Sequence, residues 1–195
     1  MQQSASEKIM KGMTAFSAIC MAASIWLYWR SASEVWMAAA ITAGTFLYHF
    51  AMRLAVGFVV HNLIKTTLDY KGKWFLLRRW EPEFYQKIGI KQWKNKLPTY
   101  YPQDFSPKSH SISELLQTMC ISEIGHEVML VLSFAPLILS IWFGEFGVFL
   151  ITSLCAGAID LVFVLVQRYN RDRLAKIAEW KKSRSSQTRK AGSNV

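Results

Sequence analysis

Cysteine is scarce in this sequence, and its placement excludes the usual roles of paired thiols. Only three cysteines occur in 195 residues. Cys20 and Cys155 lie inside apolar runs, Cys120 lies in a more polar stretch, and no Cys-x-x-Cys spacing is present. An odd number of cysteines without paired spacing offers neither a disulfide framework nor a structural zinc site. Cys120 as a nucleophile would need a partner, and no histidine stands at a diagnostic spacing from it.

Charged residues are also few, at 18% of the chain, and they are nearly absent from four long apolar runs. The length of these runs approaches the roughly 17–25 residues that cross a bilayer. They cover residues 13–29, 35–60, 126–144 and 146–167. Buried helices of a soluble protein are the alternative, but four such runs in a short chain favour a multi-pass membrane protein. The first run could be a signal peptide, yet its length and its aromatic end, "WLYW", favour a retained anchor.

Acidic residues are outnumbered by basic ones, 13 against 23, and the excess is unevenly spread. Ten Lys and Arg residues fall in 62–125 and nine follow the fourth run, whereas the turn "GEFG" (144–147) has none. Basic segments mark the cytoplasmic side of a membrane, so we expect both termini and 62–125 to be cytoplasmic. The net charge of +10 would then face anionic lipid. Nucleic acid is the competing interpretation, but basic residues that flank membrane spans do not require it.

The segment 62–125 is more than a linker. Its stretch "KWFLLRRWEPEFYQKIGIKQWKNKLP" (73–98) mixes aromatic and basic residues, which is typical of short helices lying in the headgroup layer with their aromatic side chains inserted. A helical pattern resumes near Ser113. The predicted fold is therefore an all-α membrane protein, with one domain of four transmembrane helices over 1–175 and both termini cytoplasmic. It includes a long cytoplasmic loop of interfacial amphipathic helices, and a basic, disordered tail over 176–195 follows.

Polar residues recur on one face of two of the predicted spans. They are His49, Arg53, Gly57 and His61 on the second span, and Asp160, Gln167 and Arg171 on the fourth. With the membrane boundary near His61 and Arg168, Arg53 and Asp160 each lie eight residues inside it, which is about 12 Å. Because an unpaired buried charge is costly, we predict that these two form an ion pair, and a structural role is favoured for it. His61 is interpreted with equal weight as a headgroup-level histidine or as part of a site.

The stretch "SEIGHE" (122–127) places three ionisable residues on one helical face at the start of the third run. His126 and Glu127 follow Glu123 by three and four residues, respectively. A histidine beside carboxylates is well placed as a general base, because a carboxylate can orient the ring and stabilise the imidazolium. Glu-x-x-His is also half of a di-iron carboxylate site, but no second copy exists, so no metal is expected.

Three stretches resemble the signature blocks of a known family. They are "KGKWFLLRRWE" with "IKQWKNKLP", then "SEIGHE", then "DLVFVLVQRYNRDRL". They are similar to the glycosyl-4,4'-diaponeurosporenoate acyltransferases, small bacterial membrane enzymes of staphyloxanthin-type carotenoid synthesis. The likeness covers roughly residues 70–176, and it does not extend to the first two helices. Two positions depart from the family pattern: Asp160 stands where asparagine is more common, and Glu127 follows the histidine in place of tryptophan.

The resemblance implies transfer of a fatty acyl group from a cytosolic thioester, acyl-CoA or acyl carrier protein, to a hydroxyl of a glycosylated carotenoid or related lipid. No other cofactor is implied, and the expected location is the bacterial cytoplasmic membrane. In this scheme His126 is the base, Glu123 orients it, and Arg168 or Asn170 binds the oxyanion. The residues that the resemblance assigns to binding of substrate or donor are Gln167, Asn170, Arg171, Arg173, Arg79 and Trp80. His61 is added to them because its predicted depth places it at the same end of the spans.

Two other functions remain open at the level of sequence. A non-catalytic membrane scaffold or lipid-binding protein would explain the basic, aromatic loop, but it would use the polar stripes only to hold helices together. An isoprenoid-directed transferase with a different donor would have the same architecture. Loss of lipid turnover on mutation of His126 separates the scaffold from the enzymes, and the identity of the donor separates the two enzymes.

Overall fold

The computed structural model describes residues 4–63, 67–99 and 101–192, with side chains up to residue 187. This part of the chain contains helices and no strand. The α-helices are α1 (Ala5–Ser31), α2 (Glu34–Leu63), α3 (Glu81–Lys87), α4 (Ile90–Trp93), α5 (Ile112–Leu132), α6 (Ser140–Phe143) and α7 (Phe146–Gly192). Short 3-10 helices cover Lys94–Lys96, Pro102–Phe105 and Ala135–Leu139.

The described residues form two compact units. The first unit contains residues 4–63, 98–99 and 124–163. The second contains residues 67–97, 101–123 and 164–192. Helices α5 and α7 each contribute residues to both units.

Four helical stretches are long and apolar enough to cross a membrane, as the sequence predicted. They are Ala5–Ser31, Glu34–Asn62, Ile112–Phe143 and Phe146–Gln187. The third stretch begins well before the predicted residue 126, because the helical pattern near Ser113 continues into the apolar run. It is also not one regular α-helix. Helix α5 ends at Leu132 and a 3-10 helix follows around Pro136, which lacks the N–H that a continuing α-helix needs.

The first unit is built on the hairpin of α1 and α2. Ser4 caps α1 by accepting a hydrogen bond from the Glu7 N–H at 3.1 Å. Ala32 ends the helix with a φ of 47°, and its N–H donates to the Tyr28 carbonyl at 2.7 Å. A Cβ added at Gly44 of α2 would lie 3.2 Å from the Met21 sulfur of α1, so a small residue is needed there for the two helices to approach.

Large apolar side chains are exposed along the four stretches. They include Phe16, Trp29, Phe58, Val131, Ile141 and Ile151. A protein in water rarely exposes large continuous apolar surface, whereas a lipid-facing surface requires it because the solvent there is hydrocarbon. The exposure therefore agrees with the membrane assignment that the four apolar stretches indicate.

The second unit has a core of its own, made partly from the segment that was predicted to lie in the headgroup layer. Tyr85 and Ile90 are buried together with Val166 of α7. Phe75 is also buried, although Trp74 and Trp80 are exposed. The aromatic residues of this loop therefore divide between two roles. Some pack inside the protein, and only the exposed ones have the placement expected of side chains that enter a headgroup layer.

Helix α7 continues through the stretch that the sequence indicated to be a disordered tail. Residues 176–192 are helical, and 193–195 lie outside the described residues. Alanine, lysine and arginine recur after Arg173, and no proline interrupts the helix. A side-chain ion pair joins Lys71 to Glu179 at 2.7 Å, in the first part of this extension.

Candidate functional site

In the first unit, the structure brings Arg53 and Asp160 into contact, the pairing that their equal depth predicted. Arg53 Nη2 donates to Asp160 Oδ2, and also to the Ala156 carbonyl at 2.9 Å. Arg53 Nη1 donates to the His49 carbonyl at 2.9 Å. The Ser133 hydroxyl oxygen lies 3.3 Å from both the guanidinium and the carboxylate. Asp160 is only 1% exposed, so its charge depends on these protein partners rather than on solvent.

His126 lies against the other oxygen of the same carboxylate. Its Nδ1 is 3.5 Å from Asp160 Oδ1, which is longer than a normal hydrogen bond. The imidazole also stacks on Phe163, with ring centroids 4.8 Å apart and an interplanar angle of 9°. The side chain of His126 is 22% exposed and that of Asp160 is 2% exposed. Of the two, His126 is therefore the residue that a substrate can reach.

Two glycines allow the helices of this unit to approach closely enough for these contacts. A Cβ at Gly125 of α5 would lie 3.3 Å from Val60 of α2. A Cβ at Gly157 of α7 would lie 3.1 Å from the Phe134 ring and 3.2 Å from Leu130. These distances are at or below the tight limit of ordinary packing, so larger residues would push the helices apart. The glycines therefore support the geometry of Arg53, His126 and Asp160 without touching them.

His49, to which the sequence gave no role, is buried beside this cluster. Its backbone carbonyl accepts from Arg53, and its ring meets the Tyr48 ring edge to face at 5.6 Å. Neither ring nitrogen has a hydrogen-bond partner within the described part of the chain, and the same is true of the Ser153 hydroxyl. Buried polar atoms of this kind are costly in a dry interior. They extend the polar character of the first unit beyond the predicted ion pair.

In the second unit, Arg168 donates from all of its five N–H groups. Nε and Nη2 form a fork on Glu81, at 3.1 Å to Oε2 and 2.9 Å to Oε1. Nη1 donates to Glu123 Oε1 at 2.7 Å and to the Trp74 carbonyl at 3.2 Å. Nη2 also donates to the Leu76 carbonyl at 3.1 Å. A guanidinium has five N–H donors, so the predicted oxyanion-binding role would require one of these bonds to break.

In the second unit, the hydrogen-bond donors to Glu123 are arginines. It is completely buried, and Arg171 Nε donates to its Oε2 at 2.9 Å while Arg168 donates to its Oε1. The Arg171 guanidinium lies over the Phe75 ring, 5.0 Å from its centroid. The carboxylate predicted to orient His126 is thus engaged by two arginines. In the first unit the carboxylate beside His126 belongs to Asp160.

The remaining predicted binding residues are distributed over the second unit, except for His61. Asn170 Oδ1 accepts from Lys94 Nζ at 2.6 Å, and the exposed Arg173 lies over the Tyr169 ring. Arg79 and Trp80 are exposed immediately before α3, and Gln167 is partly buried on α7. His61 is exposed near the end of α2 in the first unit. The structure thus brings Asn170 and Arg173 near one another and leaves Arg79 and Trp80 on a surface.

Glu81 is the principal member of the second network that sequence reasoning missed. It is 3% exposed, and besides Arg168 it accepts from the Tyr85 hydroxyl at 2.9 Å and the Arg78 N–H at 3.0 Å. Burial raises the pKa of Glu81, but these hydrogen bonds outweigh it and hold the pKa below its usual range. Burial and the bond to Glu81 raise the pKa of Tyr85, which therefore remains a donor. The available signal was an acid directly before a proline, close to two arginines, in "RRWEPEF".

The fold and these clusters define an all-helical protein with four membrane-length apolar helices and buried, ion-paired polar residues. A family model for glycosyl-4,4'-diaponeurosporenoate acyltransferase matches residues 71–179, which is more than half of the chain. The chain belongs to this family, as the three blocks of resemblance indicated. The family's name describes an acyltransferase of a glycosylated carotenoid acid. No curated protein and no solved structure matches the chain.

Proposed function

We propose that this protein transfers a fatty acyl group from a thioester donor to a hydroxyl of a glycosylated carotenoid or related lipid, at the membrane. Membership of the acyltransferase family supports the reaction type. Four apolar helices suit an enzyme whose acceptor is dissolved in lipid. The observation that carries the proposal is the placement of a reachable His126 beside a buried, arginine-bound Asp160.

His126 is proposed as the general base. Because Nδ1 faces Asp160, the carboxylate favours the tautomer that carries the proton on Nδ1 and leaves Nε2 as an acceptor. Nε2 removes the proton from the acceptor hydroxyl as that oxygen attacks the thioester carbonyl. The tetrahedral intermediate then expels the thiolate, which takes the proton from the imidazolium, and an ester has formed. The 3.5 Å separation is compatible with this role, since catalytic hydrogen bonds often shorten when substrate binds.

Asp160 is proposed as a positioning residue rather than as a group that contacts substrate. Arg53 and Ser133 hold its carboxylate on one side, and His126 meets it on the other. The Phe163 ring restricts the imidazole to one plane. This arrangement replaces the sequence-based scheme, in which Glu123 oriented the histidine. It retains the ion pair between Arg53 and Asp160 and gives that pair a function.

The test is acyl transfer by purified protein in nanodiscs, with a long-chain acyl-CoA and a glycosylated carotenoid acid, followed by mass spectrometry of the products. His126→Ala should reduce the rate by about 10²–10⁴-fold, the usual contribution of a general base. His110→Ala is the matched control. Like His126, His110 has its Nδ1 near a carboxylate, 4.0 Å from Glu114 Oε2, but it belongs to the second unit. Asp160→Asn should lower kcat with little change in KM.

Undiminished transfer by His126→Ala would refute the proposed base. In that case the polar cluster has only the structural role of holding helices together. Absence of transfer by the wild type would instead favour the alternative of a non-catalytic lipid-binding protein. Transfer of a group other than acyl to the same acceptor would instead identify the isoprenoid-directed enzyme.

A further inference from the structure

Two pairs of cations in the second unit differ in how their charge is balanced. Arg168 and Arg171 are neutralised by two buried carboxylates, so their charge is already balanced. Lys94 and Arg173 differ, because neither forms an ion pair with a carboxylate in the part of the chain that the structure describes. The closest acid in sequence to Arg173 is Asp172, which pairs with Lys176 at 2.7 Å.

Lys94 and Arg173 both lie over one aromatic ring. Lys94 Nζ and Arg173 Cζ are each 5.7 Å from the centroid of Tyr169. Tyr169 is held in turn by the buried Tyr85, whose ring meets it edge to face at 5.6 Å. Among the described residues, Lys94 Nζ donates one hydrogen bond, to the neutral amide oxygen of Asn170 at 2.6 Å. Burial and then the charge of Arg173 hold the pKa of Lys94 below its usual range, as expected for a cation without a counter-ion.

The unused donors of this cluster fit a phosphate group. Lysine retains two of its three N–H donors, and Arg173 retains a planar fork that suits two phosphate oxygens. The Asn170 side chain uses its oxygen toward Lys94 and retains its NH₂ group as a third source of donors. Two cations at one position attract an anion more strongly than either does alone, and hydrogen bonds to a charged acceptor are the stronger kind.

We propose that Lys94, Asn170 and Arg173 form a binding site for a phosphate group of the acyl donor, a thioester of the coenzyme A type. This inference rests on the proposed acyl transfer. It adds Lys94, which the family resemblance did not assign, and it separates Arg173 from Arg171, whose guanidinium faces Glu123. A phosphate of a lipid headgroup has the same chemistry as that of a soluble donor, so the experiment must distinguish the two sources.

The experiment measures binding of adenosine 3',5'-bisphosphate to the full-length protein in nanodiscs of zwitterionic lipid. Lys94→Gln and Arg173→Gln should each weaken binding by about tenfold or more, the effect of losing one charge-assisted hydrogen bond. Lys94→Arg keeps the charge and should retain most of the affinity. Lys96→Gln, at an exposed position two residues along, is the control and should bind like the wild type.

Equal affinity in Lys94→Gln and Lys96→Gln would overturn the proposal. A second arm uses nanodiscs with and without phosphatidylglycerol. If Lys94→Gln alters retention of the anionic lipid but not binding of the bisphosphate, the site belongs to a headgroup and the donor assignment is wrong.

Binding requires no turnover, so the two proposals can fail separately. His126→Ala should bind the bisphosphate like the wild type. If transfer depends on His126 while binding is independent of Lys94, only the phosphate site is refuted. If the wild type binds the bisphosphate through Lys94 but transfers no acyl group, the proposed function is refuted and the phosphate chemistry of the site stands.

Discussion

Replacing Arg168 distinguishes an anchor of the loop from a catalytic donor. The wild-type guanidinium makes three bonds to the carboxylates of Glu81 and Glu123 and two to backbone carbonyls. Lysine has three N–H donors on one atom and cannot reproduce this pattern. Glu123 keeps its hydrogen bond from Arg171, and Glu81 keeps its hydrogen bond from the Tyr85 hydroxyl, so neither carboxylate is left without a donor. We therefore expect Arg168→Lys to cost about 3 kcal/mol of stability, the lower end for breaking a buried ion pair.

Hydrogen exchange measured by mass spectrometry is the suitable assay, combined with denaturant unfolding in mixed micelles. Exchange should accelerate in residues 74–85, because two carbonyls of this segment and Glu81 lose their partner. Arg184→Lys, an exposed site on the same helix, should leave exchange unchanged. If Arg168→Lys leaves stability and exchange unaltered while transfer falls about 10²–10³-fold, as for removal of an oxyanion donor, the anchor interpretation is refuted.

Three further outcomes are expected. In a double-mutant cycle on stability, removing both Arg53 and Asp160 should cost less than the sum of the single losses, and additive losses would show that they are not partners. Reporter fusions should read outside at Ser33 and inside at Pro107; a protected Pro107 would contradict the charge-based orientation. Because the folded pKa of Glu81 is depressed, its stabilisation is full above the unfolded pKa and is lost as pH falls through the folded value. Acid titration of Glu81→Gln should lack this loss.

The sequence was sufficient to predict the contact between Arg53 and Asp160, because it follows from depth alone. Two residues at equal distance from one membrane boundary, on predicted spans, have few other partners of opposite charge. The same argument located the four apolar stretches, since their length is set by the bilayer. Span length and depth are both read from distances along each helix, so predicting them requires no knowledge of how the helices pack.

The particular hydrogen bonds of Glu123 could not be predicted in this way, although the same depth argument places Glu123 and Arg168 together at one end of the spans. Spacing places Glu123 and His126 on one face of a helix, but it does not state which distant group a side chain meets. The observed partners, Arg168 and Arg171, lie 45 and 48 residues further along the chain. Their own spacing of three residues suits two donors to one carboxylate and was a further signal.

Composition was misleading for the segment after Arg173. A basic stretch without apolar periodicity indicates disorder when it is considered alone. Here it continues a helix that is already formed, so the cost of starting a helix does not arise, and residues with good helix propensity extend it. The composition of the segment alone does not show that the preceding helical turn has removed the cost of helix nucleation.

Two of the five bonds made by Arg168 end on main-chain oxygens, those of Trp74 and Leu76, whose side chains point to the exterior. Every amino acid supplies the same carbonyl. These two residues can therefore be substituted, in evolution or in a library, while both hydrogen bonds from Arg168 remain. A library that varies these two residues would change the exposed surface of the loop while leaving its two main-chain hydrogen bonds to Arg168 in place.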